Sequence, residues 1–217
     1  MAYFKNIIRK DFVVVVVLIL VIIAGALYFS SGKTAKAERY YLLGKAYETQ
    51  GYYQNAIDAY KKSTEARQSS VAYNAMGNLY GLLGDNIQAI NSFQKGIEAD
   101  KNDVENYFDI SRVYVMLGQY DKAEQILLSI IDKGGGTASI YALLGTVYIE
   151  TKKWDKAEAS FRKSLDMQQR ASTYNDLGFV YESAGKTPLA IENYQKALQL
   201  DSNYEIARNN LQRLANV

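Results

Sequence analysis

The sequence predicts an all-α solenoid of five helix-turn-helix repeats over residues 37–202, closed by a helix over 203–217 and preceded by a transmembrane helix over 12–32. Three observations carry that prediction. A pattern of small, aromatic and apolar residues returns at steps of 33 or 34 residues. Within each return the apolar positions recur at helical spacing on both sides of a short turn. Ahead of the first return lies an uninterrupted apolar run.

The first eleven residues form a basic tail with Lys5, Arg9 and Lys10. Residues 12–29, FVVVVVLILVIIAGALYF, hold no charged or strongly polar side chain. Continued to Gly32 the run has 21 residues. That is about 31 Å of helix, enough to cross a hydrocarbon core of roughly 30 Å. The β-branched stretch from Val13 to Val17 is poor helix in water, but lipid leaves its backbone no other way to satisfy itself. Tyr3 and Phe4 at one end and Tyr28 and Phe29 at the other suit the two interfaces. The competing reading is a cleaved signal peptide with Ala24-Gly25-Ala26 as its small-residue site. The apolar run continues past that site, which favours the anchor. Lys33, Lys36 and Arg39 on the far side nearly balance the tail, so the positive-inside rule barely discriminates. A short basic tail before a first apolar helix usually stays in the cytoplasm. The repeats are therefore expected on the extracytoplasmic side, the periplasm in a two-membrane bacterium. Residues 33–36 leave only a short tether, which holds the first repeat at the membrane surface.

The repeats divide at 37–69, 70–103, 104–137, 138–170 and 171–202. Each contains an apolar residue followed by a small one: Leu43-Gly44, Met76-Gly77, Ile110-Ser111, Leu144-Gly145 and Leu177-Gly178. A tyrosine stands three residues after the small residue and another four before it. An alanine follows twelve residues on, at Ala56, Ala89, Ala123, Ala157 and Ala190. Four residues beyond the alanine come Tyr60, Phe93, Leu127, Phe161 and Tyr194. The fifth unit shows the local logic. Tyr174, Leu177, Gly178 and Tyr181 share one helical face, Gly185 ends that helix, and Thr187-Pro188 reads as N-cap and first helical position of the next. The small residue lets the two helices of a hairpin cross closely, with the alanine twelve residues on as its expected counterpart. The aromatics are then core, filling the remaining space.

This period and these positions resemble the tetratricopeptide repeat, whose aromatic, Leu-Gly, Tyr, Ala, Phe and Ala signature they follow over about three quarters of the chain. Departures are mild. Ser111 replaces the small glycine, Lys152 replaces a turn glycine, and the usual proline at the repeat end is absent. Gly134-Gly135-Gly136, between the third and fourth repeats, reads as a loose loop or as a hinge dividing the array. Beyond Ser202, Ile206, Ala207, Leu211 and Leu214 form one face of a helix whose other face is polar, as a solenoid end requires.

Composition narrows the function. The chain has no cysteine and no histidine, which removes disulfides, thiolate metal sites and the commonest general base. No carboxylate pair stands out from the solvated helix faces, so no catalytic residue, metal site or cofactor is expected and the chain is not expected to be an enzyme. After residue 32 it carries 22 Lys plus Arg against 22 Asp plus Glu. Such a neutral solenoid has no electrostatic footprint for nucleic acid.

In the family this chain resembles, the first helices of successive repeats line a concave groove that holds a peptide or partner helix. The resemblance places Tyr41, Lys45, Val71, Asn74, Asn78, Leu82, Phe108, Arg112, Val115, Met116, Thr146, Asn175 and Phe179 in that groove. The family's basic clamp for a terminal carboxylate wants Lys, Asn, Asn, Lys and Arg. The matching positions here are Tyr41, Lys45, Ala75, Glu105 and Asp109, so the clamp is absent. What remains is an apolar centre, Phe108, Val115, Met116 and Leu82, flanked by asparagines able to pair with a bound backbone. The expected function is a membrane-anchored scaffold or adaptor that binds a protein partner and supports assembly of a membrane or envelope complex. The alternative is an integral accessory subunit docked in a larger membrane complex through its transmembrane helix.

Overall fold

The computed structural model describes residues 32–215. The expected tail and nearly all of the expected transmembrane span lie outside those residues. Among the described residues, no helix is long and apolar enough to cross a membrane.

All described secondary structure is helical, in eleven helices. The first, α1, covers residues 32–49 of those described. Residues 33–36, read from the sequence as a tether, lie inside it because no glycine or proline interrupts them. Then follow α2 (Tyr53–Ala66), α3 (Ser70–Leu82), α4 (Asn86–Ala99), α5 (Val104–Met116) and α6 (Tyr120–Asp132). The remainder are α7 (Ala138–Glu150), α8 (Trp154–Met167), α9 (Ala171–Ser183), α10 (Thr187–Leu200) and α11 (Glu205–Ala215). Each odd-numbered helix from α3 to α9 packs on the even one that follows it, each even one packs on the odd one after it, and α1 meets α2 through Gly44, Tyr41 and Tyr60. The result is a one-dimensional stack in which α11 covers α10.

In four of the five hairpins the small residue of the first helix faces an aromatic ring, not the alanine expected from the sequence. A Cβ built on Gly145 would stand 2.7 Å from the ring of Phe161, and one on Gly178 would stand 2.7 Å from that of Tyr194. Gly44 and Gly77 meet Tyr60 and Phe93 in the same way. The ring reaches the crossing because it extends further from its helix than an alanine methyl. The third hairpin carries Leu127 where the others carry a ring, and there Ser111 is tolerated, fully buried, with its Oγ donating to the Tyr107 carbonyl at 2.8 Å.

Turns inside the hairpins close with the chain in the left-handed region at Gly51, Gly84, Gly118 and Gly185. In the fourth hairpin Lys152 takes that conformation at φ 57°. The turn into α10 closes as the Lys186 amide donates to the Tyr181 carbonyl at 2.8 Å. Lys186 is therefore the N-cap, and Thr187 is one residue inside the helix rather than the cap expected of it. The glycine run between the third and fourth hairpins is closed by hydrogen bonds. Gly134 and Gly135 amides donate to the Ile131 and Ile130 carbonyls, and the Thr137 hydroxyl caps α7. One buried apolar cluster runs unbroken past it from Ala89 to Ala207, so no divide separates the hairpins on either side.

Among the described residues the stack is closed at one end only. The apolar residue before the small one is 8% exposed at Met76, 2% at Ile110, 3% at Leu144 and 4% at Leu177, but 43% at Leu43. Each of the others lies under the preceding hairpin, and among the described residues nothing precedes α1.

Candidate functional site

First helices of successive hairpins touch: α3 meets α5, α5 meets α7 and α7 meets α9. Second helices make no contact of that extent. The stack therefore curves towards its first helices, whose outward residues line the inner face.

The thirteen residues expected on that face divide into two kinds. Lys45, Val71, Asn78, Leu82, Arg112, Met116 and Phe179 are exposed, with Leu82 at 64% and Met116 at 70%. The remaining six are engaged within the solenoid. Tyr41 packs its ring 5.5 Å from that of Tyr60. Phe108 and Val115 lie half-buried against the core. The Thr146 hydroxyl donates to the Ala142 carbonyl at 3.2 Å.

Asn74 and Asn175 are buried, and their amides join neighbouring helices. Asn74 Nδ2 donates to Asp109 Oδ2 at 2.9 Å while its Oδ1 accepts from Asn78 at 2.9 Å. Asn175 Oδ1 accepts from Asn210 Nδ2 at 3.0 Å, joining the last hairpin to α11. A residue three before the small position looks sideways at the next first helix rather than straight out of the face. These two amides are therefore spent on stacking and are not free to pair with a bound backbone.

Two clefts open along the exposed part of the face. One of about 490 Å³ lies between α1 and α3, walled by Ala37, Glu38, Tyr41, Arg67 and Val71. The other, of about 280 Å³, lies between α3 and α5 and is walled by Gly81, Leu82, Asn86, Phe93, Arg112 and Met116. Gly81 and Asn86 escaped the sequence reading because neither matches the repeat signature. The available signal was Gly81 itself, a helical glycine at a position filled by Glu48, Val115, Ile149 and Glu182 in the other hairpins.

Charge on the solenoid is arranged for stacking. Lys153 bonds Glu124 at 2.7 Å and holds its carboxyl below the usual range. Burial, together with that carboxylate, pushes the Tyr148 phenol up to about 12. One hairpin later the pattern repeats: Tyr181 donates to Glu158 at 2.9 Å, with Lys186 3.7 Å away. Burial pushes Glu158 up, but bonds from Tyr181 and Arg162 outweigh it and leave its carboxyl low. Glu182 accepts from Tyr194 at 2.8 Å and is forked by Arg213 of α11, which lowers its carboxyl. Asp176 goes the other way: desolvation raises it, and only the Asn175 amide at 3.3 Å opposes that. Among the described residues no three His, Cys, Asp or Glu cluster closely enough to hold a metal ion.

Comparison with known proteins agrees with this architecture. Profiles described as tetratricopeptide repeat match residues 37–70, 82–145, 137–172 and 171–204. A curated relative, the chloroplastic tetratricopeptide repeat domain-containing protein PYG7 of Arabidopsis thaliana, is 31% identical over 106 residues, covering 46% of this chain and 35% of the relative. The chain thus spans about a third of that protein's length. Among solved structures, a crystal structure of MamA protein superposes with a TM-score of 0.68 at 26% identity, over 77% of this chain and 92% of that one. Pseudomonas aeruginosa pilF superposes with a TM-score of 0.74 at 20% identity, over 85% of each chain, a likeness of fold. With matched repeats running over residues 37–70 and 82–204, and with a buried core built on the repeated positions, the chain belongs to the tetratricopeptide repeat family.

Proposed function

We propose that the protein is a membrane-anchored scaffold that binds a segment of a partner protein on the face lined by its first helices and supports assembly of a membrane or envelope complex. Tetratricopeptide repeats mediate protein–protein interaction, and the observation that carries the reading is the pair Leu82 and Met116. These are large apolar side chains standing exposed beside a cleft in a charge-balanced array. Anchoring is supported by the apolar run over residues 12–29, a short way ahead of the first repeat at residue 37. The basic tail before that run supports a cytoplasmic amino terminus, with the repeats on the other side. The uncovered Leu43 favours a second reading, an accessory subunit whose first hairpin abuts a neighbour in a larger complex.

Photo-crosslinkers placed at Leu82, at Met116 and, as a control, at the exposed Gln94 of α4 test the reading in native membranes. The expected result is one protein adduct shared by the first two positions and absent from the third. An adduct obtained equally from Gln94, or none from Leu82 and Met116, overturns it.

A further inference from the structure

The two ends of the stack are finished differently. In the second to fifth hairpins the face that a first helix turns to the preceding hairpin is dry. The position of Arg39 in α1 is held there by Ala72, Asn106, Ile140 and Thr173, none more than 2% exposed. That of Ala46 is held by Leu79, Val113, Val147 and Val180, all buried. In α1 both positions are exposed, and so is Leu43. At about 100° per residue, Ala35, Lys36, Arg39, Leu42, Leu43 and Ala46 fall within about a third of the helix circumference. All six are exposed. At the far end, across α11 from buried Ala207, stand Glu205, Asn209 and Gln212, exposed and polar as a solenoid end requires. The near end instead keeps two leucines in the open.

The charge on this face selects its occupant. The face holds no carboxylate, because Glu38 walls the cleft towards α3 and Glu48 accepts from Tyr60. Among the described residues no carboxylate pairs with Lys36 or Arg39. A second copy pairing α1 against α1 would set these cations against their own copies with nothing to offset them. The chain's own apolar run, folded back over the face, has no charge and would bury them unpaired. A bilayer surface with anionic headgroups suits both features. Leucines enter the acyl boundary while the longer basic side chains reach back to phosphate. Position agrees with chemistry. The apolar run ends at Phe29, and only Ser30, Ser31 and Gly32 separate it from Lys33. Serine and glycine are residues at which a chain turns readily.

We propose that the uncovered face of α1 lies on an anionic lipid surface, with Leu42 and Leu43 below headgroup level and Lys36 and Arg39 paired with headgroup phosphates. The inference rests on the reading of residues 12–32 as a membrane anchor. The bilayer then does for α1 what a preceding hairpin does for the other first helices, and the stack rises from the membrane with α11 at its far end.

The chain has no cysteine, so a single introduced one carries a unique label. The fluorophore NBD is placed on Leu43→Cys and, as a far-end control, on Gln212→Cys of the full-length protein. Each is reconstituted into vesicles of phosphatidylcholine with phosphatidylglycerol, and into phosphatidylcholine alone. Doxyl-labelled lipid is expected to quench the Leu43 label and not the Gln212 label, and aqueous iodide the reverse. Lys36→Gln with Arg39→Gln, both at exposed positions, should leave Tm at the parental value. The pair should shift the Leu43 label about tenfold or more towards the iodide-accessible state, as should omission of phosphatidylglycerol. A Leu43 label shielded from iodide yet untouched by doxyl lipid is covered by protein, a second copy or a neighbouring subunit, and overturns the proposal. So does doxyl quenching that survives loss of both cations. A label open to iodide in the anionic vesicles overturns it too, while the anchor stands if the chain resists an alkaline carbonate wash. A chain that washes off removes the anchor and this inference with it.

Discussion

Asn74 donates to Asp109 across 2.9 Å, from one first helix to the next, thirty-five residues along the chain. Arg112 adds a second bond to the same carboxylate at 3.2 Å. Asp176 occupies the same register two hairpins later without that support. The position that would face it, held by Asn74 on α3 and Asn175 on α9, is Ala142 on α7.

Asp176→Asn is therefore expected to raise Tm at pH 7, because it removes a desolvated carboxylate that has one long amide bond for support. The sign follows from the raised folded-state pKa. The penalty is full above that raised value and is relieved as pH falls through it towards the unfolded value of 3.8. The gain should shrink on acidification, as melts between pH 7 and pH 4 will show. Ala142→Asn, which supplies the missing donor, should bring the carboxyl back towards the usual range in an NMR titration.

Glu182 carries the opposite sign. Arg213 and Tyr194 hold its carboxyl below 4.5, so its contribution is present above the unfolded value and is lost as pH falls through the depressed one. Glu182→Gln should lower stability at pH 7 and flatten the acid limb of the stability curve. Hydrogen exchange should show the loss in α11 first, since Arg213 and Asn210 are its polar ties to the last hairpin.

Gly145→Ser should destabilise the fourth hairpin by about 1–3 kcal/mol, through overpacking against the Phe161 ring. Phe161→Leu in the same chain recreates the Ser111 and Leu127 pairing of the third hairpin. A coupling of about 0.5–3 kcal/mol is expected in urea melts of the double-mutant cycle. Strict additivity would mean that the ring does not set the size of the small residue.

The repeat was legible because its burial demands recur. The same stripe must be apolar in every hairpin, and the same crossing must be small. Partnerships across that stripe were less legible, since spacing on one helix does not say how far a side chain on another reaches. Hence the alanine was expected where the ring of Phe161 stands. On the inner face, seven of the thirteen expected residues are exposed and six are tied into the stack. Asn74 and Asn175 went astray for a physical reason: a residue one step round the helix from the outward line points to the next helix, and 100° per residue blurs that boundary. Gly81 and Asn86 are breaks in the repeat, which a search for regularity passes over.

Lys152→Gly should stabilise the protein by about 1 kcal/mol, the usual cost of holding a residue with a Cβ in the left-handed region. Thermal melts at constant ionic strength check it. Lys152 is exposed, so no packing is lost.

The central claim is that Leu82 and Met116 stand exposed to meet a protein. The most direct test measures the affinity of the full-length Leu82→Ala, Met116→Ala variant for the partner captured through those positions, beside its Tm. Leu144→Ala, 3% exposed in the core, provides the contrast. The double variant is expected to lose about 2 kcal/mol or more of binding while melting close to the parent. Leu144→Ala should lose about 2–5 kcal/mol of stability. A double variant that holds its partner at parental affinity contradicts the account.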